Sequence, residues 1–586
     1  MNLNTTLAQL EAAQLVRHLI EEDPAYIFKH ALTQATAYES VLKNQRRTIH
    51  ARVARAYQKL YEQRCADEFA AVLAYHFGEA GDDANALIYA THAGDVAAQM
   101  YANQEAIVFY SQALDAAKRA NATTAQLIHL YTKRGRVLEV MARNPHALAT
   151  YQEMAEFARA RGDRALELQA VLLQGKLYSI PSTMFDRNKS LAIAEQADTL
   201  AHMLGDRKAQ AQSLWNRLML HQYNSEIPDA IRCGEQALAI ARDLDARELL
   251  GYIMGDLARA YLADGKIDQM ATLETEVRAV WRELDNKPML ADNLMQSATL
   301  ALMRGDYDES IALGDESVEI SQATGSQLSL MASQGGQVFP CLDRGDFARA
   351  LQLVQAIVNE ANAIGGYIFP MQSALGAMVF GIVGDFTRGN EMAEQVRVVL
   401  QNPFPEFFRA WSWALLARFY LAAGNLNAAR DALAASEIEK HPERFDAASL
   451  FGVVAQGELL LARGEFNRAA QVMAERVTLL RHLGLRQSLH DALFIQAKAM
   501  RALGNSVRAI ELLHQAREVS EQMQARRLLW QIYATLSEIE NERGNKIEAK
   551  NFRAQAREVI EYIIAHTPEE FRAAFLNLPD VRATTG

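Results

Sequence analysis

Large apolar residues return at i, i+3 and i+4 along most of the chain, as in Leu415, Leu416, Phe419 and Tyr420. That spacing belongs to a helix with one buried stripe. In the second half the stripes come in pairs, and a glycine stands between the members of each pair. These glycines are Gly265, Gly305, Gly345, Gly384, Gly424, Gly464, Gly504 and Gly544, at intervals of 40, 40, 39, 40, 40, 40 and 40 residues. So regular a period marks one supersecondary unit stacked many times. Each unit is predicted as two antiparallel helices. The first ends at the glycine, where a positive φ is needed, and Asp306, Asp346, Asn425 or Asn505 caps the second. Seven residues before the glycine stands a short side chain (Ala258, Ala298, Ala377, Ala417, Gly457, Ala497, Ser537), with Val338 the exception. Five residues after it stands Ala350, Ala429, Ala469, Ala509 or Ala549. Short side chains at these points let two helix backbones approach.

The pattern loosens toward the front. Gly81, Asn103, Asn144, Asp186 and Asn224 stand near successive turns, with steps of 22, 41, 42 and 38 residues and 41 more to Gly265. The first, short step predicts a helix shared between two units, and irregular end units are expected because a terminal repeat must cap one face. Residues 1–60 have no 40-residue register and carry more Lys and Arg than Asp and Glu. They are predicted as a basic helical segment. After Gly544 an amphipathic helix runs from Ile547 to His566. Phe571, Phe575 and Leu578 are then expected to pack back onto the last repeat, with Pro579 ending that helix and the final Ala-Thr-Thr-Gly disordered.

The large–small–aromatic, Gly, Ala order of LLARFYLAAGNLNAARDAL (Leu415 to Leu433) resembles the tetratricopeptide repeat, at a period longer than its usual 34 or so residues. The resemblance implies an all-α fold, a right-handed superhelical solenoid of about twelve helical hairpins. It divides the chain into residues 1–60, irregular repeats over 61–265, regular repeats over 266–566 and a capping tail over 567–586. The stretch YIFKHALTQATAYESVLKNQRRTIHARVA (Tyr26 to Ala54) resembles the segment that follows the ATPase core in STAND-type signalling ATPases and in bacterial adenylate/guanylate cyclase-like proteins. The matching residues are Phe28, His30, Tyr38, Arg46, Arg47 and His50, and the likeness continues from Leu73 to Ala97. In that family a histidine near the end of the ATPase module can sense nucleotide phosphate. His30 occupies that position, and without an ATPase module it reads as a structural histidine. No G-x-x-x-x-G-K-[ST] phosphate loop occurs in the sequence, so the chain is expected to be the C-terminal part of such a protein or a separately encoded one.

Composition narrows the function further. A formal charge of −11 argues against general nucleic-acid binding, which needs a basic footprint. Cys65, Cys233 and Cys341 are far apart, lack any CxxC, and read as reduced thiols of a cytoplasmic protein. The N-terminal residues form no leader-like apolar stretch, since Arg17, Glu21, Glu22 and Asp23 interrupt it. The uncharged run from Ala361 to Gly384 holds Pro370, Gln372 and Ser373 and falls in repeat register, so it is expected as a buried or groove-lining helix rather than a membrane span. No H-E-x-x-H, G-x-S-x-G, G-x-G-x-x-G or Cys/His cluster with metal spacing is present, and the 14 histidines are scattered. Acidic pairs such as Glu21–Glu22 and Glu569–Glu570 read as solvated helix ends. The expectation is a chain with no catalytic residues, no cofactor and no metal.

Binding is the better-supported role. In the repeat this chain resembles, positions thirteen, ten and six residues before the turn glycine face inward. Here they are Tyr252, Gly255 and Arg259; Asp292, Met295 and Thr299; Ala332, Gly335 and Phe339; Met371, Ala374 and Met378; Trp411, Ala414 and Arg418. From about 330 to 414 the row is small, uncharged or methionine-rich, with Phe339 and Trp411 at its edges. Such a row suits a small apolar ligand or the amphipathic helix of a protein or peptide partner. It equally suits a superhelix that packs the row against itself or against a second copy. Gly335–Gly336 with Pro340, and Gly365–Gly366 with Pro370, predict a bend or shaped pocket there. The expected function is a sensor and protein-interaction module of a signalling ATPase or cyclase system, with a standalone scaffold or part of a transcription activator as alternatives.

Overall fold

In the computed structural model the described residues are 3–19, 25–61, 68–180, 182, 184–364, 369–401, 406–438 and 447–586. Cys65, Glu21, Glu22, Asp23 and the Gly365–Gly366 pair fall outside them. Thirty α-helices and one two-stranded sheet make up the described residues, and the chain forms two compact units, residues 1–137 and 138–586. The fold is an all-α, TPR-like array of helical hairpins.

In the first unit α1 (Leu3–Ala12) precedes the antiparallel strands β1 (Val16–Leu19) and β2 (Ala25–Phe28), where Val16 pairs with Phe28. Residues 1–60 are therefore not wholly helical as predicted. Val-Arg-His-Leu and Ala-Tyr-Ile-Phe are rich in β-branched and aromatic side chains, and Val16 is buried. There follow α2 (Ala31–Ser40), α3 (Lys43–Leu60), α4 (Ala70–Ala80), α5 (Asp83–Gln99), α6 (Asn103–Arg119) and the start of α7 (Thr124–Val140). The helix α5 is the second member of the hairpin turning at Gly81 and the first member of the next. Its Gly94 lies so close to the buried Tyr110 that a Cβ there would meet the ring at 2.8 Å.

The second unit continues with α8 (Asn144–Arg161), then the hairpins α9 (Arg164–Ser179) with α10 (Arg187–Leu204), and α11 (Arg207–Tyr223) with α12 (Ile227–Asp243). The regular units follow: α13 (Arg247–Ala263) with α14 (Ile267–Glu283), α15 (Lys287–Arg304) with α16 (Tyr307–Thr324), and α17 (Gln327–Arg344) with α18 (Phe347–Ile364). Then come α19 (Phe369–Ile382) with α20 (Phe386–Val399), α21 (Glu406–Ala422) with α22 (Leu426–Ala435), and α23 (Ala447–Ala462) with α24 (Phe466–His482). The last are α25 (Leu489–Ala502) with α26 (Ser506–Met523), α27 (Arg526–Glu542) with α28 (Lys546–Ala565), and the short α29 (Glu569–Leu576) and α30 (Pro579–Thr585). All eight turn glycines have φ between +72° and +86°. The side chains of Asp346, Asn425 and Asn505 accept from the backbone N–H three residues on, each at 3.1 Å, and so cap the second helix. Asp306 makes no such cap; it is taken by Arg486.

That last contact shows how the array closes. Arg486 donates to Asp306 and to the Arg304 carbonyl, while its own N–H donates to the Met303 carbonyl at 3.0 Å. Arg527 reaches Asp343, 184 residues away, and the Ala348 N–H donates to the His566 carbonyl at 2.7 Å. One turn of the superhelix thus rests on the next after about four and a half to five and a half repeats. The turn glycines record the same closure. A Cβ at Gly305 would strike Met523, at Gly345 Ile563, and at Gly384 the Ala574 carbonyl at 2.8 Å, whereas Gly424, Gly464, Gly504 and Gly544 have nothing within 4 Å. Gly305, Gly345 and Gly384 are therefore seats for the following turn, beyond their role as helix ends.

Three local expectations change. Pro340 does not break α17; it sits within the last turn and a half, where one backbone bond is lost, and Pro370 is the second residue of α19, where no N–H acceptor exists. The tail is ordered: Pro579 opens α30 instead of ending a helix, and Arg557 donates to the carbonyls of Thr584 and Thr585 at 3.1 Å. Phe571 and Phe575 are buried in one core with Ile560 and Ile563 of α28, and they also pack against Phe380 and Phe347 of an earlier turn. Among the described residues no helix is long and apolar enough to cross a membrane, and α19 is a buried helix of 14 residues.

Candidate functional site

The inward row lies where its spacing placed it, on the first helices of the hairpins, but much of it faces the protein's own later turns. Phe339 of α17 stacks on Phe451 of α23 with ring centroids 4.7 Å apart. Phe339, Met378 and Arg418 meet Phe451, Val454, Asp491 and Arg527 around a cavity of ≈ 20 Å³ for water centres, room for about one water. Met371 and Met378 are buried. Trp411 is half-buried; its ring meets Phe407 edge-on, and its indole N–H is enclosed without an acceptor. Farther along, Tyr252 stacks on Trp215 and meets Trp281 edge-on. Met295 is half-buried against Thr299 of its own helix. Of the row, Phe339, Met378 and Arg418 come together in one group, and Tyr252 and Arg259 in another.

The Arg418 group contains a buried ionic network. Arg527 donates from Nε to Asp343 at 2.5 Å and from Nη2 to Asp491 at 2.9 Å. The Tyr307 hydroxyl donates to the other Asp343 oxygen at 2.7 Å, and His490 lies 3.2 Å from Asp491. Arg418 stands 4.0 Å from Asp491 and 3.5 Å from Glu458. Burial works against the charge on Asp491, but the Arg527 guanidinium, with His490 and Arg418, holds its carboxyl well below the usual range. Burial likewise opposes the charge on Arg527, and Asp343 and Asp491 override it. The network ties α16, α17, α21, α25 and α27 together, so its chemistry is that of a clasp.

The Arg259 group is similar in kind. Arg259 donates to Asp256 at 2.5 Å and to Asp292, while the Trp215 indole N–H donates to Asp256 at 2.7 Å. Behind it, burial raises the Glu274 carboxyl to about 8, Arg259 opposing that shift and Asp292 adding to it. Asn293 donates to the Glu274 carboxylate and to its backbone carbonyl. Tyr223, at the end of α11, stacks on Phe408 of α21 at 6.0 Å, so here too the inner face meets a later helix.

Asp343, Asp491 and Arg527 were not picked out by the sequence reading. Carrying the same inward register past Arg418 finds part of the set: Phe451, Val454 and Glu458 precede Gly464 by thirteen, ten and six residues, and Asp491 precedes Gly504 by thirteen. Those are the side chains that cover Phe339, Met378 and Arg418.

In the first unit the residues of the Tyr26–Ala54 stretch partly converge. The Tyr38 hydroxyl lies 3.0 Å from His50 Nε2 and donates to Glu79 at 3.2 Å, and His50 Nδ1 lies 2.8 Å from His76 Nδ1. The bonds form one directed chain when His76 donates to His50, His50 to Tyr38, and Tyr38 to Glu79. Burial, and then the charge of His50, lower the His76 imidazole. Arg46 sits over the Tyr38 ring at 4.8 Å. Phe28 and His30 are exposed and take no part, and His30 makes no side-chain bond to cap α2. Among the described residues no group of three or more His, Cys, Asp or Glu could hold a metal, and Cys233 and Cys341 are free and buried.

No family model matches the chain, and no curated protein matches it. Among solved structures it is similar to a crystal structure of the APC/C hetero-tetramer Cut9–Hcn1, at 12% identity and a TM-score of 0.47, over 93% of this chain and 98% of that one.

Proposed function

We propose that the chain is a non-catalytic protein-interaction module whose partner docks on the first unit, while the interior of the second unit holds the array shut. The observation that carries this reading is the distribution of exposed apolar surface. Fourteen of the twenty-two well-exposed large apolar side chains among the described residues belong to residues 1–137. Met100, Ile88 and Val108 are 75%, 58% and 53% exposed. Concentrated exposed apolar surface is a common mark of a docking face. The inward row, by contrast, has Phe339, Met371 and Met378 already buried.

The finer reading is that this module serves a signalling ATPase or cyclase system, relaying partner capture to it. Support comes from the resemblance of Tyr26–Ala54, whose Tyr38, Arg46 and His50 lie together. The test is affinity capture from lysate of the source organism with the full chain and with an I88D/V108D variant. The expected result is recovery of a discrete ATPase- or cyclase-bearing protein that the variant recovers at least about tenfold less well, as loss of an interface anchor does. Equal recovery by both chains, or ATP turnover by the chain alone, would overturn the proposal.

A further inference from the structure

The helix α3 differs from every other helix near it in what its outer face presents. Its sequence KNQRRTIHARVARAYQKL holds six Lys or Arg and no Asp or Glu. His50 and Ala54 are buried, on the side that packs against α4, together with the half-buried Tyr57. Next to that face, about a quarter of the way round the helix, Ile49, Val53, Ala56 and Leu60 follow one another at steps of four, three and four residues, with Val53 half-buried. Alternating steps of three and four make a heptad seam, the pattern that packs one helix along another. Ile49 is 50% and Leu60 73% exposed, Ala56 is exposed, and Leu42, one heptad before Ile49, is 69% exposed. Apart from Val53, the seam stays exposed among the described residues.

Its flank is cationic. In that register Arg52 and Lys59 occupy the positions bordering the seam, with Arg55 beside them, and all three are exposed. None of the described residues makes an ion pair with them. A three-turn apolar seam, about 17 Å long, edged on one side by unpaired cations fits a complementary helix better than it fits a flat surface or a groove.

We infer that α3 is a docking helix for an amphipathic partner helix whose seam is apolar and whose flank carries Asp or Glu opposite Arg52 and Lys59. This rests on the reading of the first unit as the interaction face and names the element that does the work. A membrane surface is less well matched, because the apolar strip is one side chain wide. Nucleic acid is less well matched, because the chain as a whole carries a formal charge of −11.

The test uses the full chain and synthetic three-heptad peptides with Leu in the seam and either Glu, Gln or Lys at the flanks. The Glu peptide is expected to bind at least about tenfold more tightly than the Gln peptide, with affinity falling as salt rises. An I49D/L60D variant, checked for unchanged helicity, is expected to lose binding. An R52E/R55E/K59E variant is expected to lose the Glu peptide and gain the Lys peptide, which a merely unfolded helix would not do. Equal binding of all three peptides, or none, overturns the inference, as does binding only of phosphatidylserine vesicles or of duplex DNA offered in parallel. If the I49D/L60D variant still captures the lysate partner that I88D/V108D loses, the docking helix is wrong and the interaction module stands.

Discussion

Replacing Arg527 with leucine is expected to lower the stability of the second unit by about 3–5 kcal/mol, the loss typical of removing one partner from a buried ion pair. The substitution strands two carboxylates, since Arg527 is the cation that bonds both Asp343 and Asp491, and their side chains are only 6% and 7% exposed. The unfolding midpoint in denaturant, followed by circular dichroism, measures the effect. A change under about 1 kcal/mol, the size expected of an exposed pair, would mean that the clasp is solvated and the turns are not closed on one another. The same network sets the acid behaviour. Because Asp491 has its folded-state carboxyl held below the ordinary value of about 3.9, its contribution is fully present above that pH and is lost as pH falls below it. The Arg527→Leu chain should therefore lose less additional stability than the natural chain when pH drops below about 4.

Phe339→Ala is expected to cost about 3–5 kcal/mol, as truncation of a buried phenylalanine does. Phe339 is 7% exposed and its ring lies on Phe451, so truncation opens a cavity between α17 and α23. A double-mutant cycle with Phe451→Ala should return a coupling of about 0.5–1.5 kcal/mol, the value for a stacked aromatic pair. Were Phe339 a partner-binding residue of an open groove, its truncation would weaken capture and leave stability nearly unchanged. The structure predicts the reverse: stability falls and partner capture by the folded fraction is kept.

What the sequence made legible, and what it hid, follows from the range of the interactions. The turn glycines, the short side chains around them and the caps at Asp346, Asn425 and Asn505 act within one hairpin, and a 40-residue period displays them directly. The pitch of the array does not appear in any one repeat. It is the accumulated effect of a small rotation per unit, and it decides that Arg486 meets Asp306 and that Phe575 meets Phe347. The tail phenylalanines were recognisable as apolar and helical, while their seat about five to six repeats earlier was not. Strands of four residues, as in Val16–Leu19, are too short for alternation to outweigh a helical reading. In the first unit Tyr38, Arg46 and His50 were visible through a resemblance, but His76 and Glu79, which complete their bonding, were not singled out.

Residue-resolved amide hydrogen exchange shows whether successive turns of the second unit are closed on one another. Ala348 is the second residue of α18, a position whose N–H has no acceptor within its own helix. Here it donates to His566, 218 residues on, at 2.7 Å. Val507 is the second residue of α26, beside the open turn at Gly504, and its side chain is 69% exposed. The Ala348 amide is expected to exchange at least about a hundredfold more slowly than that of Val507, an opening cost of about 3 kcal/mol or more. Equal, fast exchange at the two positions would contradict it, leaving an open superhelix with its inner row free for a partner.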